Sequence, residues 1–122
     1  MVVNFARSPC PIASTLDLVG DRWTLVVIRD MLNGKSRYNE FAASPEGIPT
    51  NILAERLKRL TESGLAEKHL YQEHPPRFEY RLTHKGAELL PVLQEICRWA
   101  NVHIPDTWIP PTAFMRKRRK SN

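Results

Sequence analysis

The chain has 122 residues, 42% of them hydrophobic and 25% charged, enough for one domain whose modest core is expected to be helped by oligomerisation, because small domains bury proportionally less surface. No apolar stretch approaches the roughly 20 residues needed to span a bilayer, and residues 1–7 lack the pattern of a secretory signal, so a cytoplasmic protein without membrane contact is expected. The net charge of +5 is local: Arg116, Lys117, Arg118, Arg119 and Lys120 supply five of eighteen basic residues, leaving thirteen against thirteen acidic ones elsewhere, so attraction to a polyanion must come from a placed patch or an appended arm.

Residues 11–18 are expected to form a short helix with Cys10 at the cap position, Pro11 as first residue and Ile12, Leu16 and Val19 on its apolar side, ended by Gly20. Asp21 is expected to cap a second helix over residues 22–32, on which Trp23, Val26, Val27 and Met31 keep helical spacing before Asn33-Gly34 closes it. Tyr38, Phe41 and Ala42 suggest a third, shorter helix ahead of the turn Ser44-Pro45-Glu46-Gly47.

In the run from Ile48 to Leu65, Leu53, Leu57 and Leu60 share one helical face and Asn51, Glu55, Lys58, Arg59 and Glu62 lie opposite. Pro49 suits a first turn, Thr50 a cap, and Gly64 a left-handed stop. Taken alone, the charged face is an ordinary solvated one. Residues 66–71 and 78–82 then alternate as strands, with Phe78, Tyr80 and Leu82 on one face and Pro75-Pro76 stiffening the connection. Helices, then a longer helix, then a tight ribbon make a mainly α fold with a small β-wing (α+β), a winged helix-turn-helix.

A helix in the major groove reads base edges with its N-terminal residues, here Thr50, Asn51 and Glu55, while basic side chains further along meet phosphates, here Lys58 and Arg59. Asparagine can bond an adenine edge twice and glutamate can accept from a cytosine amine. Arg56 borders the buried stripe and admits a DNA-contacting or a structural role. His74 and Arg77 sit near the ribbon tip, where a cation can follow a phosphate or enter a narrow minor groove; the plainer reading is an exposed tip with no partner.

Thr83 is expected to cap a last long helix carrying Ala87, Leu90, Val92, Leu93, Ile96, Cys97, Trp99 and Ala100, bent at Pro91. With the first helix it offers more apolar surface than a small monomer hides, which suits a two-fold homodimer on a palindromic operator. Residues 1–103 are assigned to this domain and 104–122 to a proline-rich extension with a basic tail. The extension is expected to be irregular, with Trp108, Ile109, Phe114 and Met115 lying on the dimer, and the tail is either a disordered solubilising end or a phosphate-tracking arm.

Cys10-Pro11, Gly20-Asp21-Arg22-Trp23-Thr24, Gly34 with Arg37-Tyr38-Asn39-Glu40-Phe41, Ile48-Pro49 with Leu53, Arg56 and Leu57, Gly64-Leu65, Tyr80-Arg81-Leu82-Thr83 and Gly86 occur in order. Over roughly residues 8–101 this resembles the HxlR family of winged helix-turn-helix transcription regulators, which is related to MarR-like regulators. The resemblance implies a homodimer joined through its N- and C-terminal helices that binds double-stranded operator DNA as a repressor or activator. It adds Arg37, Tyr38 and Asn39 to the candidate DNA contacts. Tyr38 stands where such proteins often have Phe and brings a hydroxyl able to reach a phosphate. Pro49 replaces a frequent Ser and moves capping to Thr50 or water.

Some members of the resembled family sense oxidants or reactive aldehydes with a cysteine placed like Cys10. Unpaired amides and the helix macrodipole favour a thiolate there, with Arg7 adding to it; the alternative is a small inert residue at the dimer seam. Cys97 is expected to be buried. Cys10 and Cys97 with His69, His74, His84 and His103 show no zinc-ligand spacing, and neither a nucleophile's His-Asp pattern nor a glycine-rich phosphate loop is present, so no metal, cofactor or enzymatic activity is expected. A small apolar effector between the dimer helices and the winged domain would meet Trp23, Leu93 and Trp99. The competing function is a winged-helix module that binds proteins and no DNA.

Overall fold

The computed structural model describes residues 7–118; Arg119 and Lys120 of the basic cluster and residues 1–6 of the expected domain lie outside them. The elements are α1 (Pro11–Val19), α2 (Thr24–Leu32), α3 (Tyr38–Ala42), α4 (Thr50–Glu62), β1 (Ala66–Gln72), β2 (Arg77–Leu82), α5 (His84–Ala87), α6 (Leu90–His103) and α7 (Thr112–Arg116). β1 and β2 form an antiparallel ribbon, so the fold is mainly helical with a small wing. No helix among the described residues is long and apolar enough to cross a membrane.

The leucine spacing of α4 does what it predicts: Leu53, Leu57 and Leu60 are all buried, in one cluster with Val27, Ile28, Phe41, Leu65 and Leu90. Gly64, at φ +78, stops the helix, and the Leu65 amide returns to the Leu60 carbonyl at 2.9 Å, a closure that glycine provides without steric cost. The cap differs from expectation. Pro49 holds the N-cap position in extended geometry and Thr50 is the first helical residue, so no side chain caps the helix.

α2 begins at Thr24, two residues later than expected. Asp21 nevertheless performs the capping, accepting from the Trp23 and Thr24 amides at 2.9 and 3.2 Å. The expected last helix is two helices. Thr83 caps the short α5 by accepting from the Gly86 amide at 3.2 Å, the helix breaks at Glu88-Leu89, and α6 starts with Pro91 in its first turn. There a missing amide leaves no hydrogen bond unmade and the ring meets no preceding carbonyl, so a break costs less than the bend expected from an internal proline.

The extension is also more ordered than its proline content suggests. Residues 112–116 form α7, and Phe114 is buried in the domain core rather than offered to a partner. The buried Gln94 amide donates to the carbonyls of Phe114 at 3.0 Å and Lys117 at 2.7 Å, holding the chain on both sides of Met115. Trp108 and Ile109 remain exposed. A short ladder absent from the sequence reading joins the chain ahead of α3 to the wing: Arg37 bridges Glu79, and the Tyr80 amide donates to the Ser36 carbonyl at 2.7 Å.

Candidate nucleic-acid interface

Burying one leucine stripe leaves Thr50, Asn51, Glu55, Lys58 and Arg59 exposed on the other side of α4. The side chains of Asn51 and Lys58 have no hydrogen-bond or ion-pair partner among the described residues. Glu55 pairs with Arg56 and lies 3.6 Å from the Arg59 guanidinium. A carboxylate between two arginines must give up some of that attraction before it can accept from a base.

The Arg56 guanidinium is engaged inside the protein. Its Nε donates to Asp21 Oδ2 at 2.7 Å, and its side chain is only 18% exposed. Asp21 thereby links the start of α2 to the middle of α4, with the buried Thr24 hydroxyl as a further donor. Burial alone would push the Asp21 carboxyl up, but hydrogen bonds from Thr24, Arg56 and the Trp23 amide outweigh it and hold the group well below the usual carboxylate range. Its local sequence marks Asp21 only as a cap.

Tyr38 donates its hydroxyl proton to the Thr50 carbonyl at 2.9 Å. The donor expected to meet a phosphate is therefore used inside the protein, tying α3 to the first turn of α4. Glu40 closes the start of α3, accepting from the Ser36 and Arg37 amides at 2.9 Å each; these bonds, that from Ser36 first, lower its pKa. Asn39 is exposed beside it.

Arg37 lies 4.0 Å from the centroid of the Tyr71 ring, at the register shift of the ribbon between Leu70 and Gln72. A bulge of this kind re-aims a side chain, and here the aromatic faces the cation, joining the chain before α3 to the wing. Tyr71 carried no signal in the sequence beyond strand propensity. Lys68 similarly covers Phe78 at 4.1 Å. His74 and Arg77 are exposed at the ribbon tip, as expected, and neither bonds to the α4 side chains.

Cys10 is exposed at the N-cap of α1, and its sulfur makes no capping bond. Arg7 does not serve it: the guanidinium binds Asp17 at 2.8 Å and the Ala13 carbonyl at 3.2 Å. Cys97 is half-buried rather than buried, and burial pushes its thiol up, partly opposed by Arg98. Cys97 lines an apolar groove of about 200 Å³ between α2 and α6 with Leu25, Leu93 and Phe114. Of the three residues expected around an apolar effector, only Leu93 lines this groove; Trp99 lies on the outer face of α6, 60% exposed, beside His103. No cluster of metal-ligating side chains occurs among the described residues.

A family model described as HxlR-like helix-turn-helix matches residues 18–107. The HTH-type transcriptional regulator YvaP of Bacillus subtilis is 36% identical over 104 residues, covering 84% of this chain and 92% of YvaP. Among solved structures, the redox regulator HypR in its oxidized form superposes with a TM-score of 0.70 at 32% identity, covering 77% of this chain and 97% of HypR. The reduced form of the transcriptional regulator YodB from B. subtilis superposes with a TM-score of 0.67 at 32% identity, covering 83% of this chain and all of YodB (100%).

Proposed function

The chain belongs to the HxlR-like helix-turn-helix family, and from that premise we propose that it is a cytoplasmic transcription regulator binding double-stranded operator DNA as a homodimer. The observation that carries this reading is the first turn of α4. Asn51 is exposed and unpartnered among the described residues on a helix that Tyr38 and Asp21 hold from two sides, so its amide is free to meet a base edge. Thr50, Asn51 and Glu55 face bases, while Lys58, Arg59, Arg37, Asn39, His74 and Arg77 face phosphates or the minor groove.

Ile12 and Leu16 on α1 and Val92, Ile96, Trp99 and Val102 on α6 are exposed. Apolar surface on this scale supports a two-fold partner, and a two-fold dimer calls for a palindromic site. Residues 1–103 form the DNA-binding unit and 104–122 an extension to it. Operator DNA selected from random oligonucleotides and titrated by fluorescence polarisation tests the proposal. Lys58, Arg59, Arg37 and Arg77, four cations per protomer, predict a slope of log affinity against log salt of about −7 for the dimer, and specific recognition predicts a preference over random DNA of about 1000-fold. Salt-independent affinity, or no preference, favours the protein-binding alternative.

Cys10 is the site of a thiol switch in this reading, supported by its exposure and by a structural neighbour named a redox regulator. Modification alters DNA affinity only if it changes the relative energies of two dimer arrangements. Peroxide or a reactive aldehyde is expected to shift the affinity of the native protein by about tenfold, and that of Cys10→Ser not at all. A Cys10→Ser protein with unchanged DNA affinity and an intact response removes Cys10 as the sensor.

A further inference from the structure

A cleft of about 760 Å³ runs between the end of α2, the base of the wing, α5 and the chain following α7, a size typical of small-molecule sites. Lys35, Arg81, His84, Lys117 and Arg118 line it, and no carboxylate is among its described lining residues. Met31, Leu82 and Leu90 give it an apolar floor. We propose that this cleft binds an amphiphilic organic anion: a carboxylate on an aromatic or aliphatic body.

Three of these side chains have acidic neighbours outside the lining. Lys35 lies 4.0 Å from Asp30, Arg81 3.0 Å from Glu79 and His84 2.9 Å from Glu88. Lys117 and Arg118 have no side-chain ion pair among the described residues, and both are exposed. They supply the unbalanced positive charge. The backbone that carries them is held at Lys117, because Phe114 is buried in the core and Gln94 donates to the Lys117 carbonyl at 2.7 Å. Lys117, part of the basic run that reads in sequence as a loose arm, is thus fastened by its backbone at the mouth of a half-apolar cleft. The family model ends at residue 107, so these two cations lie beyond the matched domain.

The mixed lining selects the ligand class. A small inorganic anion would satisfy the cations and leave the apolar floor wet, and a neutral ring would cover the floor and leave the charges unmatched. A carboxylate carried on a ring meets both.

Calorimetric titration of the full chain with 2-naphthoate, 2-naphthamide and inorganic phosphate tests this. Naphthoate is expected to bind saturably below about 1 mM, at least about tenfold tighter than the uncharged amide, and to resist displacement by equimolar phosphate. The Lys117→Gln/Arg118→Gln double variant is expected to bind it at least about tenfold more weakly, while Arg77→Gln at the wing tip binds as the native chain does. Both substituted residues of the double variant are exposed, so its melting temperature should be unchanged; if it falls, Arg81→Gln must show the same loss. Equal binding of the amide, displacement by phosphate, undiminished binding by the variants or no saturable binding overturns the site. A double variant that loses affinity for DNA and not for naphthoate overturns it as well, assigning these cations to the nucleic acid.

Discussion

Gly86→Ala is expected to destabilise the protein by about 3 kcal/mol or more and to lower its melting temperature by roughly 10 °C. A Cβ at this position would stand 2.1 Å from the Leu65 carbonyl oxygen and 2.9 Å from a Leu82 methyl carbon. The methyl can turn aside; the carbonyl cannot, because it accepts the Thr83 amide at 3.1 Å. Around it, the Thr83 hydroxyl donates to the Gly64 carbonyl at 2.6 Å and Lys85 reaches the Ser63 carbonyl at 3.0 Å. The start of α5 is therefore fastened to the end of α4, and pushing it away loosens both the proposed recognition helix and the wing base. Gly47→Ala is the control: its φ is +68 but nothing lies within 4 Å of the added carbon, so only the backbone cost of about 1 kcal/mol is expected. Thermal unfolding of both variants by circular dichroism checks the difference, and equal losses would refute the role of the Leu65 contact.

Asp21→Ala should cost about 3 kcal/mol, the sum of a lost helix cap and an arginine left without its partner in a largely enclosed place. The carboxylate accepts four donors: two backbone amides, the Thr24 hydroxyl and Arg56. Asp21→Asn keeps an acceptor for part of this set and should lose less. The effect carries a pH signature. The folded-state pKa is held below the ordinary value by those bonds, so the contribution is fully present above the unfolded pKa of about 4 and declines as pH falls below it. Denaturant unfolding at pH 7 and pH 3 should show the gap between native and Asp21→Ala narrowing at the lower pH. A constant gap would mean that the charge on Asp21 contributes nothing. Because Arg56 is on α4, the variant should also bind DNA more weakly although no DNA-facing residue has changed.

α4 was legible because three leucines at helical spacing and a glycine stop are local signals, and its surroundings, short helices before and alternating strands after, made it a winged helix. The break between α5 and α6 was hidden for a physical reason. Ala87, Leu90, Leu93 and Cys97 keep helical phase across the break, so periodicity continues where the backbone does not, and only the preference of proline for a first turn marks the boundary. α7 escaped notice because its order comes from Gln94 and the core, about twenty residues away in sequence. The candidate site divides in the same way. Exposure of Asn51, Lys58, Arg59, His74 and Arg77 follows from the pattern of their own elements. Tyr38, Arg56 and Arg37 are set by partners distant in sequence, Thr50, Asp21 and Tyr71. The backbone anchor of Lys117 was out of reach of composition for the same reason, since its partner Gln94 is distant in sequence.

In the proposed complex the N-terminal part of α4 reads base edges while the basic residues behind it hold phosphates. The most direct measurement is the affinity of Asn51→Ala and Arg59→Gln for the selected operator and for each of its single-base variants. Asn51→Ala is expected to lose about 1–3 kcal/mol on the operator and to lose its preference at one base pair per half-site. Arg59→Gln is expected to weaken every sequence alike and to reduce the salt slope by about two for a dimer. An Asn51→Ala protein that keeps both the affinity and the base preference of the native chain would rule out base reading by the first turn of α4.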